Sequence, residues 1–144
     1  MEEGFVLDPR LEADSAPLGR FSLCHARLML DARYPWVLLI PARKGVRELH
    51  ELDRDDRHAL MDESSVVAST MSVLFGAEKM NIAALGNVVS QLHVHHIARF
   101  ARDPAWPNPV WGRFPMLPYD PESLRERIAQ LRDAFLRTGS FGAR

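Results

Sequence analysis

Three of the chain's six histidines stand within four residues, His93, His95 and His96. They fall in the run Gln91-Leu-His-Val-His-His-Ile-Ala-Arg99. If this run is a strand, alternate side chains share a face. Gln91, His93, His95, Ile97 and Arg99 would then form one polar, basic row, with about 6–7 Å between successive members. Leu92, Val94, His96 and Ala98 would turn toward an apolar core. His96 therefore reads as a hydrogen-bonded core or interface histidine. A row of two imidazoles, an amide and a guanidinium suits phosphate chemistry. A neutral imidazole nitrogen can attack phosphorus when the proton on its other nitrogen is held by an acceptor. A second imidazole can bind a phosphoryl oxygen or pass a proton to the leaving group. Amide and arginine donors can stabilise the anionic oxygens. Two imidazoles two apart can also share a metal ion, but a metal site would need a third ligand, with His25, His50 or His58 converging from elsewhere.

The elements that must position this row are legible to different degrees. The first twenty residues, with Pro9, Pro17 and Gly19, read as turn-rich around one possible helical turn from Asp8 to Ala13. Arg20 to Leu30 reads as extended. Asp31 to Pro35 is a turn, and Trp36-Val-Leu-Leu-Ile40, closed by Pro41, reads as a strand buried on both faces. The span Leu49 to Phe75 reads as a long helix capped by Asp53, with Asp55 and Asp56 in its first turn and Gly76 as its stop. Met80 to Leu85 reads as a strand, Gly86-Asn87 as a turn, and Gln91 to Phe100 as the histidine strand. Residues 101–119 form a proline-rich loop, with Trp106, Trp111 and Phe114 expected to pack it rather than leave it free. Asp120 and Pro121 open a final helix over 120–138, whose Leu124, Ile128, Leu131 and Phe135 share one face. Strands and helices in this order imply a single α+β domain over 1–144 with an antiparallel sheet.

Composition narrows the function. With a formal net charge of −1, the chain has no electrostatic footprint for nucleic acid or for a polybasic membrane contact. Its one cysteine, Cys24, supports neither an internal disulfide framework nor a multi-cysteine zinc site. The acidic opening and the absence of a long apolar run give the expectation of a cytoplasmic protein with no membrane partner.

The histidine run resembles the signature of the histidine triad (HIT) family, His-φ-His-φ-His-φ-φ with φ hydrophobic, on a strand after a glycine-containing turn. Here Gln91 stands at the first histidine, and His93 and His95 match the other two. The stretch Asp31-Ala-Arg-Tyr-Pro-Trp-Val-Leu-Leu-Ile-Pro41 resembles the family's strand with its Ile-Pro exit. Glu48-Leu-His-Glu-Leu-Asp53 resembles its entry into the long helix, and Gly86-Asn87 its Gly-Gln turn. The resemblance covers roughly residues 20–100.

The resemblance implies a sheet of about five antiparallel strands with one long helix, plus the C-terminal helix, and often a homodimer. It implies a nucleotide hydrolase or nucleotidyl transferase that cleaves at the α-phosphate of a dinucleoside polyphosphate, such as a diadenosine polyphosphate, or of a nucleoside phosphoramidate. His93 would be the nucleophile and His95 a phosphate contact. Gln91 would complete the catalytic row. Asn87 would be a phosphate-side donor and Asp31 a ribose ligand. From the strand-face row itself Arg99 is a further candidate phosphate contact, and no metal and no cofactor are expected. Gln91 cannot carry a proton at neutral pH, and Trp36 stands where several members have another histidine. A nucleotide-binding regulatory module with little turnover is the alternative.

Overall fold

The structure, a computed structural model, describes residues 4–142. Its elements are α1 (Pro9–Asp14), β1 (Ser15–Arg20), β2 (Cys24–Met29), β3 (Trp36–Pro41), a 3-10 turn (Leu49–Glu51), α2 (Arg54–Phe75), β4 (Lys79–Ala83), β5 (Val94–Arg99) and α3 (Pro121–Leu136). The strands form one antiparallel sheet in the order β1-β2-β3-β5-β4. No helix among the described residues is long and apolar enough to cross a membrane.

The period-2 alternation of β3 divides the interior in two. Val37 and Leu39 point to one face and pack with Val67 and Met71 of α2 and with Leu131 and Phe135 of α3. Trp36, Leu38 and Ile40 point to the other face and pack with Ile97, with Leu11 of α1, and with Ala105 and Val110 of the proline-rich loop. That is why the run from Trp36 to Pro41 is apolar without a break: a central strand covered on both sides has no wet face.

The helix signals are read correctly by the chain. The Asp53 carboxylate accepts from Asp56 N–H at the start of α2, and Gly76 closes it in the left-handed conformation at φ 62°. Asp120 caps α3 with Pro121 in its first turn. Buried Glu63 of α2 accepts the N–H groups of Leu23 and Cys24 at 2.9 Å each, tying the helix to the start of β2.

Three expectations change. The long helix starts at Arg54 rather than Leu49, with Leu49–Glu51 a separate 3-10 turn before its Asp53 cap. Residues 15–20 are a strand rather than turn-rich coil. Pro17 is tolerated because β1 lies at the sheet edge and its pairing slips between Pro17 and Gly19. Gly19 is needed there, since a Cβ would run into the Gly142 carbonyl and the Phe141 ring. The histidine strand is also shorter than its pattern suggests: β5 begins at Val94, and Gln91–His93 form an irregular approach to it.

Candidate active site

His93 sits at the end of that approach, one residue before β5, on the wall of a cavity of about 100 Å³. The cavity is lined by Arg47 and Glu48 before the 3-10 turn, by Gly86, Asn87 and Ser90 of the β4–β5 connection, and by Gln91. Nδ1 of His93 donates to the backbone carbonyl of Gln91 at 2.7 Å. A carbonyl can only accept, so Nδ1 holds the proton, and in the neutral ring the lone pair lies on Nε2. Nε2 has no hydrogen-bond partner among the described residues. Gly86 makes this arrangement possible: a Cβ there would stand 2.6 Å from the Val89 carbonyl and 3.3 Å from His93 Cε1.

His95 stands beside His93, ring centroids 4.9 Å apart, edge to face. Its protonation is fixed from both ends. The Trp36 indole N–H donates to Nδ1 at 3.0 Å, so the proton is on Nε2, which donates to the Leu85 carbonyl at 3.0 Å. Trp111 of the proline-rich loop closes over the ring at 5.1 Å. Burial penalises the charged form and pushes the His95 pKa down to about 4, with the neighbouring His93 and His96 acting in the same direction against the Leu85 hydrogen bond. His95 is therefore a neutral N–H donor whose bond currently goes to the protein itself.

His96 points the other way, as the alternation requires. It is fully buried against α2, where Nε2 pairs with Ser64 Oγ at 2.7 Å and Nδ1 with the Val37 carbonyl at 3.2 Å. The carbonyl fixes the proton on Nδ1, so Ser64 donates to Nε2.

Three residues expected at the reaction centre do other work. Gln91 lines the cavity, but its side-chain amide is committed to the N-terminal segment: Oε1 accepts from Asp8 N–H at 2.9 Å and Nε2 donates to the Val6 carbonyl at 2.8 Å. What it contributes to the site is its backbone carbonyl. Arg99 does not reach the cavity. It is 1% exposed, paired with both carboxylate oxygens of Asp103 at 2.8 and 3.0 Å, and also donates to Asn81 and to the Asn108 carbonyl. A buried guanidinium must have its donors satisfied, and here it organises the start of the proline-rich loop. Asp31 is likewise absent from the cavity. Its Oδ1 accepts from Arg33 N–H at 3.0 Å and Leu117 N–H at 3.4 Å, fastening the far end of that loop.

Asn87 is where the sequence puts it, on the cavity wall. Arg47, Glu48 and Ser90 went unread. No residue-type pattern marks them, because they meet His93 only through the fold. Among the described residues no group of three or more His, Cys, Asp or Glu could hold a metal ion. His25 instead stacks on Phe5 at 5.4 Å, and His50 lies exposed in the 3-10 turn.

The sequence matches the HIT domain over residues 10–102. The fold superposes on a histidine triad protein from Marinobacter aquaeolei VT8 with a TM-score of 0.90 at 47% identity, covering 92% of this chain and 97% of that one. A histidine triad protein from Sinorhizobium meliloti 1021 gives 0.88 at 46% identity, covering 91% and 97%. One from Bradyrhizobium japonicum gives 0.88 at 40%, covering 91% and 98%. No curated protein matches. With the domain match spanning most of the chain, and these superpositions covering more than nine-tenths of it, the chain belongs to the HIT-domain family.

Proposed function

We propose that this protein is a nucleotide hydrolase or nucleotidyl transferase that works through a covalent nucleotidyl-His93 intermediate. HIT-domain proteins as a family bind nucleotides and include hydrolases and transferases. The observation that carries the reading is the His93–Gln91 hydrogen bond, which leaves the lone pair on Nε2 of a residue that lines the cavity with Asn87, Ser90 and Arg47. At about 100 Å³ the cavity is smaller than sites for whole ligands, which run to about 300–1,000 Å³. It suits a phosphoryl group, with nucleoside and leaving group extending outside.

In the first step His93 Nε2 attacks the α-phosphorus. An N–P bond forms, the bond to the leaving group breaks, and the leaving group takes its proton from solvent. The ring, now bonded to phosphorus and still protonated on Nδ1, is cationic. The Gln91 carbonyl stabilises that charge through the hydrogen bond already in place. In the second step water attacks phosphorus and gives one proton to solvent, the P–N bond breaks with its electron pair returning to Nε2, and a mononucleotide leaves with neutral His93 restored. Asn87 is the side-chain donor to the phosphoryl oxygens. His95 offers them its Nε2–H when the phosphate displaces the Leu85 carbonyl. The substrate class is a dinucleoside polyphosphate or a nucleoside phosphoramidate. The open edge of β4, beside a groove containing exposed Met61 and Ile82, is the surface assigned to the expected homodimer. Light scattering on the purified protein tests that assignment.

Incubation with the two substrate types should release a mononucleotide, and His93→Ala should abolish the release. Equal turnover by that variant sinks the mechanism. One observation favours a second reading, a nucleotide-binding regulatory module with little turnover: both ring nitrogens of His95 are already satisfied inside the protein. Tight nucleotide binding with no product would select it.

A further inference from the structure

We propose that the segment Phe5–Asp8 is a strap that positions His93, acting through Gln91. The proposal rests on the reading of His93 as the nucleophile. A primary amide presents a carbonyl acceptor and an N–H donor side by side in one plane, as a neighbouring peptide strand does, with its second N–H to spare. Gln91 uses both against the strap, taking the Asp8 N–H at 2.9 Å and giving to the Val6 carbonyl at 2.8 Å. This imitates the pairing of a neighbouring strand. An imidazole at the same position, with its two nitrogens facing different ways, could not pair with both groups. The glutamine that replaces the first histidine of the signature thus has a specific use.

The strap is fixed on either side of this clamp. Phe5 stacks on His25 with an interplanar angle of 15°. Phe5 and Leu7 pack against the core that contains Trp36 and Ile97. The Asp8 carboxylate caps α1 through Arg10 N–H at 2.8 Å, and buried Leu11 of α1 anchors in the same core. The approach to β5 has few ties of its own. Leu92 N–H bonds to the Val46 carbonyl at 3.0 Å, and the Gln91 amide supplies the next hold. The Gln91 carbonyl that fixes the His93 proton therefore stands where the strap keeps it. Residues at the far N-terminal end reach the nucleophile through one side chain. Gln91 and the strap are positioning elements, and neither touches the reacting atoms in this scheme.

The bond can be removed without touching Gln91. Asp8 has φ −56°, which proline adopts without strain. Asp8→Pro deletes the N–H that Gln91 accepts, and it also loses the carboxylate cap. Asp8→Ala loses the cap and keeps the N–H, so the difference between the two variants isolates the clamp. Two readouts are needed: the His93 tautomer from ¹⁵N-histidine NMR, and the rate of nucleotidyl-enzyme formation against substrate concentration and pH. Relative to Asp8→Ala, Asp8→Pro should weaken the Nδ1–H preference of His93. It should also slow the covalent step about tenfold, the scale expected from small misplacement of a reacting group. KM should move by less than about threefold, because substrate binding is not what is lost. The Asp8→Pro effect should vanish in a Gln91→Ala background, since a coupled pair is not additive. Gln91→Glu, which keeps the acceptor and sets an oxygen against the Val6 carbonyl, should reproduce the slowing if Asp8→Pro does not fold. Asp8→Pro matching Asp8→Ala in both readouts, or a wild-type rate and tautomer in Gln91→Glu, overturns the proposal. If the wild-type protein turns over no nucleotide, the mechanism above fails, while the tautomer measurement still decides the strap.

Discussion

Trp36 donates its indole N–H to Nδ1 of His95 at 3.0 Å, and that bond, together with the Leu85 carbonyl on Nε2, sets which nitrogen of His95 is the donor. A second imidazole at this position could take either role in such a bond. An indole can only donate, so the Nε2–H form of His95 is enforced. Trp36→Phe keeps an aromatic wall and removes the donor. With only the Leu85 carbonyl left to hold the Nε2 proton, some Nδ1–H tautomer of His95 should then become detectable in ¹⁵N NMR. The unpaired buried nitrogen should cost about 1–3 kcal/mol in denaturant unfolding. The covalent step should slow, because part of the population would present no N–H to the phosphate. An unchanged tautomer would mean that the Leu85 carbonyl alone fixes His95.

Burial holds both His95 and His96 well below the ordinary imidazole value of 6.5, at about 4 in each case. Between those limits the unfolded chain binds protons that the folded one does not. The unfolded state is therefore favoured progressively as pH falls, and stability rises with pH across the same window. Denaturation midpoints should decline from about pH 6.5 toward pH 4. Ser64→Ala leaves His96 Nε2 without its partner and should lower stability at neutral pH by about 1–3 kcal/mol. A flat profile between pH 6.5 and 4 would contradict the neutral, buried state of the two rings.

Gly86→Ala places a methyl group 2.6 Å from the Val89 carbonyl and 3.3 Å from His93 Cε1. The backbone oxygen cannot simply turn aside, so the β4–β5 connection must shift. The expected cost in stability is about 1–3 kcal/mol, that of overpacking. The rate should fall about tenfold or more, because the shift moves a reacting group. Thermal unfolding and single-turnover kinetics on the same preparation separate the two effects. Wild-type kinetics would show that the glycine serves the turn only.

Asp103→Ala tests the structural assignment of Arg99. It strands a guanidinium that is 1% exposed, and breaking a buried pair from one side costs about 3–5 kcal/mol. Nucleotide affinity of the protein that remains folded should be unaltered. Loss of affinity at unchanged stability would return Arg99 to the binding site.

These outcomes bear on what the residues disclose before folding. The long helix was legible to its caps, because Asp53 and Gly76 act locally. The buried central strand was legible because Trp36 to Ile40 carries no polar side chain. The sidedness of His95 and His96 followed from strand alternation alone. The first strand was hidden because its Pro17 and Gly19 are turn formers that an edge strand can accommodate. The duties of Arg99 and Asp31 were hidden because both depend on how the proline-rich loop returns to the sheet. Arg99 meets Asn81, Asp103 and Asn108, and Asp31 meets Leu117. Gln91 read as a weakened member of a catalytic row. Its clamp spans 83–85 residues of sequence, and no spacing rule reaches that far.

The central claim is that His93 Nε2 becomes bonded to phosphorus. Wild-type protein mixed with a dinucleoside polyphosphate or a nucleoside phosphoramidate, quenched within the first turnover in alkaline denaturant and examined by intact-protein and peptide mass spectrometry, tests it most directly. A single nucleoside-monophosphoryl adduct is expected on the peptide carrying His93, lost over time as mononucleotide appears and absent from His93→Ala. Mononucleotide release by wild type with no adduct at any time, together with undiminished release by His93→Ala, would contradict it.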